Sequence, residues 1–299
     1  MRITLPLVGR PVGGCGWFGL PGRVVTLGRS FTPNYGTVRA AVREPLYALL
    51  ATAASVLQSA TRGAIYIAAA SMSREGFREI TTRTWDTFSS HDIEIDEGLY
   101  SWESDVYDRF VKPSDRALIV GSGTGRDEIA LIESGHEVVG LEPSRPAAEV
   151  ARRHLQTRGL QAEIIDGRIE QPELVPGTFD VVIFSLNCFT YIQGARNRIA
   201  ALQLVRDRLL PSGRVIVSYG EIPVHPPHRA LAAARLFGRL TRADWSLEPG
   251  DMLRLAPGRA LQFEHAFTAS EAEAEAHDGG LRVAYHRRAP LSPTLVLVV

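Results

Sequence analysis

The stretch RALIVGSGTGRDEIALIESGHEVVGLEPS, residues 116–144, decides the fold of this chain. Residues 117–120 are uninterrupted apolar residues, as a parallel strand covered on both faces requires. The run leads directly into Gly121, Gly123 and Gly125, where the absent Cβ atoms let the backbone turn tightly and approach a ligand. The stretch therefore predicts a strand followed by a ligand-binding turn.

A helix and a second strand follow the glycine turn. Ile129, Leu131 and Ile132 recur at helical spacing among polar residues, so the free amides at the start of this helix face the loop. Residues 137–141 form the next strand. Glu142 follows it about 20 residues after the first glycine, where an acid accepts hydrogen bonds from ribose hydroxyls. This order of elements predicts a nucleotide-cofactor site.

The glycine spacing distinguishes between nucleotide cofactors. A dinucleotide fingerprint has glycine at the first, third and sixth loop positions, whereas this loop is G-x-G-x-G with Arg126 in sixth place. By itself, a glycine-rich loop is also compatible with a purely structural turn. The segment resembles the cofactor-binding start of the class I S-adenosylmethionine-dependent methyltransferases, in which the loop holds the methionine end of the cofactor.

The resemblance continues through the third and fourth strands. Residues 161–165 form a short strand before Asp166 and Gly167, and the resemblance implies that an acid at this point accepts a hydrogen bond from the adenine amino group. Residues 179–185, FDVVIFS, match the family's fourth strand, with Asp180 in a structural position near its start. Ligands of open α/β sheets bind outside the carboxyl ends of the strands, so these ends are expected to meet at one site.

The segment after the fourth strand restricts the class of molecule that can accept the methyl group. The resemblance implies that residues here touch both cofactor and acceptor. Relatives that methylate exocyclic amines of bases or glutamine amides carry Asn/Asp-Pro-Pro-aromatic, whereas this chain has Ser185, Leu186, Asn187 and Cys188. Metal-dependent relatives place an aspartate where this chain has Ser185, so we expect no metal. The residues predicted to bind S-adenosylmethionine are Gly121, Ser122, Gly123, Gly125, Glu142, Pro143, Asp166, Gly167, Ser185, Leu186 and Asn187.

The remaining elements complete an α/β fold. We predict a helix over residues 195–210, a strand over 213–219, a helix over 269–277 behind the capping box of Thr268 and Glu271, and strands at 281–286 and 294–299. The alternation of strands and helices gives a doubly wound, mostly parallel seven-stranded sheet with an antiparallel C-terminal hairpin. The family's strand order is three-two-one-four-five-seven-six, and the inserted hairpin separates it from nicotinamide-binding relatives.

The upstream third of the chain reads as an N-terminal extension, residues 1–90. Residues 1–35 are rich in glycine, proline and arginine and predict irregular structure, and residues 37–90 predict amphipathic helices. The cofactor domain then occupies residues 91–299, with a lid or acceptor insertion at about 221–260. Gln58 and Arg62 interrupt the apolar run too early for a membrane-spanning helix. Peripheral membrane association through residues 45–70 is the weaker alternative to packing against the main domain.

Composition restricts the partners. The 299 residues carry 33 basic and 33 acidic side chains, so no net positive field attracts nucleic acid or an anionic membrane. Cys15 and Cys188 form no metal-spaced pattern, which indicates a reducing compartment, and the N-terminus lacks the pattern of a signal peptide. We therefore expect a cytoplasmic protein with a small-molecule acceptor and no nucleic-acid partner. The sequence leaves the oligomeric state open.

Aromatic and histidine side chains supply candidates for the acceptor site. Tyr100, Trp102, Tyr107 and Tyr191 are predicted to line it, although aromatic residues ahead of a sheet also suit a core. His225, next to His228, and His265 are candidate general bases because histidine titrates near neutrality. Each of these histidines also suits a surface or hydrogen-bonded structural position.

The sequence thus predicts an S-adenosylmethionine-dependent methyltransferase that transfers a methyl group to a small molecule. The first alternative is a methyltransferase-like module that binds the cofactor without turnover and serves as a scaffold or regulator. The second alternative, a nicotinamide-dependent oxidoreductase, is disfavoured by Arg126 in the loop and by the terminal hairpin.

Overall fold

The computed structural model describes residues 37–88, 95, 98–221, 228–255, 261–289 and 292–299. The chain divides into two compact units, Met1–Val56 and Leu57–Val299. Helices α1 (Thr37–Ala70) and α2 (Arg74–Phe88) occupy the part of the chain for which the sequence predicts amphipathic helices. The functional boundary near residue 90 and the role of residues 221–260 as a lid stay predictions.

A seven-stranded sheet forms the centre of the larger unit. Its parallel strands are β1 (Arg116–Val120), β2 (Glu137–Glu142), β3 (Glu163–Asp166), β4 (Phe179–Phe184) and β5 (Leu209–Ser218). The two C-terminal strands, β8 (Arg282–Arg287) and β9 (Thr294–Val298), form an antiparallel hairpin, and β9 inserts beside β5. The order β3-β2-β1-β4-β5-β9-β8 confirms the predicted doubly wound sheet and its inserted last strand.

Helices flank this sheet on both faces. They are α3 (Ser101–Phe110), α4 (Arg126–Glu133), α5 (Arg145–Thr157), α6 (Ala195–Asp207) and α8 (Ala269–Asp278). Helix α7 (His228–Leu240) packs instead in a separate core with residues of α1 and α2 and with Leu253 and Phe263. Successive side chains of a strand point to opposite faces. Leu118 of β1 accordingly lies in a core with α6 and α8, whereas its neighbour Ala117 lies in a core with α3 and α4. The uninterrupted apolar run of residues 117–120 in β1 follows from burial on both faces.

The junction between α6 and β5 differs from the prediction. The helix ends at Asp207 rather than at residue 210, and the strand begins at Leu209 rather than at residue 213. Leu209 pairs with Phe179, and the register then shifts before Val181 pairs with Arg214. This early strand start depends on pairing with a distant segment, which the local helical pattern of residues 195–210 does not reveal.

A second, two-stranded sheet lies in the insertion after β5. It consists of β6 (Asp251–Leu255) and β7 (Leu261–His265), two strands that are absent from the elements predicted above. The hydroxyl of Tyr66 donates to the carbonyl oxygen of Asp251 at 2.9 Å, and the hydroxyl of Thr84 donates to that of Leu261 at 2.9 Å. These contacts attach the small sheet to α1 and α2.

Apolar side chains near the start of α1 are exposed. Leu46 is 51% exposed, Tyr47 75%, Leu49 67% and Leu50 59%. Of the helices in the described ranges, none combines the length and the apolar character that a bilayer crossing needs. Peripheral membrane association through residues 45–70 stays a prediction.

Candidate functional site

The glycine turn joins the carboxyl end of β1 to α4. Gly121, Gly123 and Gly125 have φ angles of 77°, 54° and 93°, in the left-handed region that favours glycine. A Cβ on Gly121 would lie 2.7 Å from the Cβ of Cys188, and one on Gly125 would lie 3.2 Å from the Cα of Ala151. A Cβ on Gly123 would meet no atom within 4 Å. Two glycines thus permit close packing, and Gly123 leaves an open cradle.

Glu142 borders this cradle from the end of β2. Its carboxylate accepts hydrogen bonds from the backbone N–H groups of Gly123 and Ser144, both at 2.8 Å. Burial raises the pKa of Glu142 to about 7, although the two amide hydrogen bonds act in the opposite direction. A carboxylate has about four lone-pair sites. Glu142 therefore keeps acceptor capacity for the hydroxyl groups of a ligand.

Asp166 and Gly167 lie next to Glu142 at the end of β3. Glu142 and Asp166 are register partners, and the N–H of Gly167 donates to the carbonyl oxygen of Glu142 at 3.0 Å. The Asp166 side chain is 44% exposed and forms an ion pair with Arg152 at 2.5 Å. The contact of Asp166 with adenine stays a prediction. The adenine amino group would have to share the Asp166 carboxylate with Arg152.

Pro143 leads the chain from β2 into the cap of α5. The Ser144 hydroxyl accepts a hydrogen bond from the N–H of Ala147 at 3.4 Å and donates to Asp86 Oδ1 at 2.7 Å. Asp86 belongs to α2, and its charge adds to burial in raising the pKa of Glu142. Asp86 could not be identified from the sequence, because this contact joins residues 58 positions apart.

The segment after β4 forms another wall of the site. Ser185–Tyr191 consists of 3-10 turns interrupted by a kink at Leu186 and Asn187, whose φ angles of 36° and 62° are not helical. The Asn187 N–H donates to Ser218 Oγ at 2.8 Å, and its side-chain amide donates to Ser292 Oγ at 2.9 Å. Its Oδ1 is buried and has no hydrogen-bond partner in the described part of the chain. Asn187 therefore offers a buried acceptor, and its unusual backbone marks a candidate functional position.

A buried charged cluster also lies beside the glycine turn. Arg126 forms ion pairs with Glu103 at 2.6 Å and Asp127 at 2.8 Å, and the Tyr107 hydroxyl donates to Asp127 at 2.8 Å. The Arg126 guanidinium lies 5.2 Å from the ring centroid of Tyr100. Its Nη1 is buried and makes no hydrogen bond to any described residue. The sequence showed only an arginine at the sixth loop position, which did not indicate this cluster.

The four aromatic residues predicted for the acceptor site do not form one group. Tyr100 and Tyr107 contact the charged cluster just described, and burial raises the pKa of Tyr107 well above its ordinary value. The Arg287 guanidinium carbon lies over Trp102, 5.5 Å from the centroid of the indole ring. Tyr191 packs against a tryptophan of α2 with ring centroids 4.5 Å apart. The structure thus places two of them near the glycine turn.

His265, one of the predicted bases, is fully buried. Its Nδ1 lies 2.7 Å from Asp251 and its Nε2 lies 3.1 Å from Glu271. Burial opposes the charged imidazolium, but the hydrogen bonds to these two acids leave the pKa of His265 raised. Both ring nitrogens are therefore engaged, which disfavours the predicted role as general base. His225 lies outside the described residues, so its role stays a prediction.

Arg198 completes the buried network around His265. Glu248, Asp251 and His265 offer ligand atoms within 4.8 Å of one another. Arg198 Nη2 lies 3.3 Å from Glu248, 3.4 Å from His265 Nε2 and 2.6 Å from Glu275. Since a guanidinium already supplies positive charge to these acids, we assign no metal to them.

The residues predicted to bind the cofactor all lie at the carboxyl edge of β1 to β4. The glycine turn follows β1, Glu142 and Pro143 end β2, Asp166 and Gly167 end β3, and Ser185–Tyr191 follows β4. Their individual roles stay predictions. The edge nevertheless combines an open cradle, buried acceptors and a buried guanidinium donor.

Comparisons with known proteins agree with this arrangement. The family model described as Methyltransferase domain matches residues 117–213. Over 139 residues the chain is 30% identical to the cypemycin N-terminal methyltransferase of Streptomyces sp, and the alignment covers 46% of this chain and 53% of that protein. The chain spans about half the length of the curated relatives that it matches.

Two solved structures share the fold. A SAM-dependent methyltransferase from Methanosarcina mazei matches with a TM-score of 0.52 at 19% identity, covering 67% of this chain and 96% of that one. The Burkholderia thailandensis 1,6-didemethyltoxoflavin-N1-methyltransferase, solved with 1,6-didemethyltoxoflavin and S-adenosylhomocysteine, matches with a TM-score of 0.53 at 17% identity, covering 76% and 90%. The family match runs from β1 into β5 and shows that residues 117–213 carry a methyltransferase domain, and the two solved structures share its fold.

Proposed function

We propose that this chain is an S-adenosylmethionine-dependent methyltransferase that acts on a small-molecule acceptor. The observation that carries the proposal is the contact between Gly123 and Glu142. The glycine leaves an open cradle at the end of β1, and its N–H holds a buried carboxylate from the end of β2 at 2.8 Å. A cradle bordered by such an acid suits the ribose of a nucleotide cofactor.

The polar groups at the site fit S-adenosylmethionine in their chemistry. Glu142 would accept hydrogen bonds from the ribose hydroxyls, and Asp166 would accept one from the adenine amino group. The free Nη1 of Arg126 would donate to the methionine carboxylate, and the free Oδ1 of Asn187 would accept from a cofactor or acceptor donor. The ribose hydroxyls, the adenine amino group and the methionine carboxylate thus each have a partner of the opposite hydrogen-bonding type.

Positioning would supply most of the catalysis. S-adenosylmethionine brings a methyl group that is already activated by a sulfonium, so no covalent step on the protein is required. Holding two reactants at near-attack distance lowers a barrier by roughly 7–11 kcal/mol. The glycine turn and the buried edge from β1 to β4 would provide this by fixing the donor and excluding water.

A small-molecule acceptor agrees with the charge and the local sequence. The chain has zero net charge, so it lacks the positive field that draws nucleic acid. Ser185, Leu186, Asn187 and Cys188 replace the motif of relatives that methylate bases or glutamine amides. The Streptomyces relative is named as a methyltransferase of the cypemycin N-terminus. A cytoplasmic location stays a prediction from cysteine usage.

Isothermal titration calorimetry with three ligands tests the cofactor. We expect S-adenosylmethionine and S-adenosylhomocysteine to bind and a nicotinamide dinucleotide to give no heat. Binding of the dinucleotide alone would contradict the proposal. A screen of small amines, phenols and carbon acids, read by S-adenosylhomocysteine release, then tests turnover. Cofactor binding without release across the screen would favour the alternative of a scaffold or regulatory module.

A further inference from the structure

Helix α3 precedes the sheet, and the proposed cofactor contacts give it no role. Two of its side chains are nevertheless buried against residues that follow the glycine turn. Glu103 is 0% exposed and accepts a hydrogen bond from Arg126 Nη2 at 2.6 Å. The Tyr107 hydroxyl donates to Asp127 Oδ2 at 2.8 Å. Burying a second acid beside Asp127 is costly unless it is paired, so the contribution of α3 to this cluster requires an explanation.

The cluster holds the Arg126 guanidinium along one edge. Arg126 Nε and Nη2 donate to Asp127 Oδ1 at 3.0 Å and 2.8 Å, and Nη2 also donates to Glu103. The guanidinium carbon lies over the Tyr100 ring, 5.2 Å from its centroid. A guanidinium is a rigid plane. Contacts at two of its nitrogens and on one face therefore fix the position of the third nitrogen, Nη1.

Glu103 uses both carboxylate oxygens in this arrangement. Its Oε1 accepts from Arg126, and its Oε2 accepts from the N–H of Tyr100 at 2.9 Å. Glu103 thereby joins the first turn of α3 to the first turn of α4, which begins directly after Gly125. A glutamine could keep only one of the two contacts, because its amide has one acceptor oxygen and one donor nitrogen.

The fixed nitrogen, Nη1, is the free donor of the cluster. It is buried and makes no hydrogen bond within the described part of the chain. A carboxylate is the matching acceptor for a guanidinium nitrogen. Arg126 is paired with two acids, and the amino-acid end of the proposed cofactor is a zwitterion. Its carboxylate suits Nη1, and its ammonium group supplies the positive charge that offsets the second acid.

We propose that Glu103 and Tyr107 are positioning residues of the cofactor site, which together with Asp127 hold Arg126 so that its Nη1 meets the carboxylate of the cofactor. Glu103 acts on Arg126 directly, and Tyr107 acts through Asp127. The inference rests on the proposed function, because it takes Arg126 as the partner of that carboxylate. It makes α3 responsible for distinguishing ligands with the amino-acid end from ligands without it.

The experiment compares two ligands by calorimetric titration of the full chain at pH 8. S-adenosylhomocysteine carries the amino-acid end, whereas 5′-methylthioadenosine keeps the adenine, ribose and sulfur and lacks it. Weak binding of the second ligand is read from its displacement of the first. Burial raises the pKa of Glu103 to about 7, so its carboxyl group is mostly ionised at pH 8. We expect the native protein to prefer S-adenosylhomocysteine by at least about tenfold, as loss of a hydrogen bond to a charged group implies.

Glu103→Gln is the principal variant. We expect its affinity for S-adenosylhomocysteine to fall about tenfold, because Arg126 loses a charged partner, and its affinity for 5′-methylthioadenosine to stay within about twofold of native. Asp105→Asn is the matched control, since it also converts an acid to its amide, at an exposed position of α3. Its affinities for both ligands should equal those of the native protein.

Tyr107→Phe keeps the test decisive if circular dichroism shows that Glu103→Gln is unfolded. It removes only the hydroxyl that donates to Asp127, so S-adenosylhomocysteine should bind about threefold more weakly and 5′-methylthioadenosine as in the native protein. A native protein that binds both ligands equally would overturn the inference. An unchanged ratio of the two affinities in a folded variant would overturn it as well, because a purely structural role weakens both ligands alike. Absence of binding of either ligand to the native protein would instead contradict the proposed function itself.

Discussion

At the scale of single residues, Glu142 is the side chain on which the proposed cofactor site most depends. Glu142→Ala removes the acceptor predicted for both ribose hydroxyls. We expect it to weaken S-adenosylhomocysteine binding by about 1.5–3 kcal/mol, the range for hydrogen bonds to charged groups. Calorimetry at pH 8 measures this, because Glu142, with a pKa of about 7, is mostly ionised there.

The matched control for this variant is Glu163→Ala. Glu163 begins β3 and is exposed, so it lies at the edge of the sheet opposite the candidate site. Its replacement should leave the affinity within error of native. An unchanged affinity in Glu142→Ala would mean that the acid of this site is misassigned.

Gly121 illustrates a residue fixed by packing as well as by backbone conformation. Gly121→Ala combines a φ of 77° with a Cβ only 2.7 Å from the Cβ of Cys188. Left-handed backbone costs a non-glycine residue about 1–2 kcal/mol, and overpacking adds about 1–3 kcal/mol. We expect urea denaturation to show that the free energy of unfolding falls by the sum of these two costs.

Gly135→Ala separates these two contributions. Gly135 has a φ of 90°, but a Cβ there meets no atom within 4 Å. Its replacement should cost only the backbone contribution of about 1–2 kcal/mol. Equal losses in the two variants would show that Cys188 yields to the added methyl group.

The sequence identified residues whose role follows from local order and missed those that depend on distant contacts. Glu142 was predictable because a strand, a glycine turn and a second strand fix its place within one short segment. Asp86 contacts Ser144 across 58 positions, and Glu103 contacts Arg126 across 23. No periodicity links such pairs, so only the folded chain brings them together.

At the scale of elements, buried parallel strands were predictable and the small sheet was not. β1 and β4 each contain a run of four apolar residues, 117–120 and 181–184, because both of their faces are covered, so these runs can be recognised in the sequence. β6 reads DMLRL and β7 reads LQFEH, five residues each, with charged side chains inside the strands. Their pairing depends on the buried network around His265, and the sequence offers no sign of it.

That network predicts how the stability of the insertion depends on pH. The pKa of His265 is raised in the folded state. Its protonated ring therefore contributes stability that is fully present below the unfolded value of about 6.5 and is lost as the pH rises through the folded pKa. We expect the destabilisation by His265→Gln to be larger at pH 5.5 than at pH 9, as measured by urea denaturation.

His277→Gln serves as the control for this pH dependence. His277 lies on α8 with a side chain that is 89% exposed, and its nearest acid is 3.8 Å away. Its replacement should cost little at either pH, since exposed ion pairs contribute about 0–1 kcal/mol. A destabilisation by His265→Gln that is equal at pH 5.5 and pH 9 would show that folding does not shift the pKa of His265, and a smaller destabilisation at pH 5.5 would show that the fold keeps its ring neutral.

At the scale of the whole molecule, the candidate cofactor site and the exposed apolar helix belong to different compact units. Residues 121–187 lie within Leu57–Val299, whereas Leu46, Leu49 and Leu50 lie within Met1–Val56. Equal numbers of acidic and basic residues leave the chain without net charge. Proteins without net charge tend to associate and precipitate, and the exposed leucines add apolar surface to that tendency.

Leu46→Gln combined with Leu50→Gln tests this consequence. These side chains are 51% and 59% exposed, so their replacement should change the free energy of unfolding by no more than about 0.5 kcal/mol. Less apolar surface should raise the polyethylene glycol concentration that precipitates the protein at pH 7, and should reduce any flotation with neutral phospholipid vesicles. Thr52→Gln, an exposed polar exchange on the same helix, should leave precipitation and flotation unchanged. A loss of stability well above 1 kcal/mol in the leucine variant would contradict the expectation, because it would mean that these leucines are packed in solution.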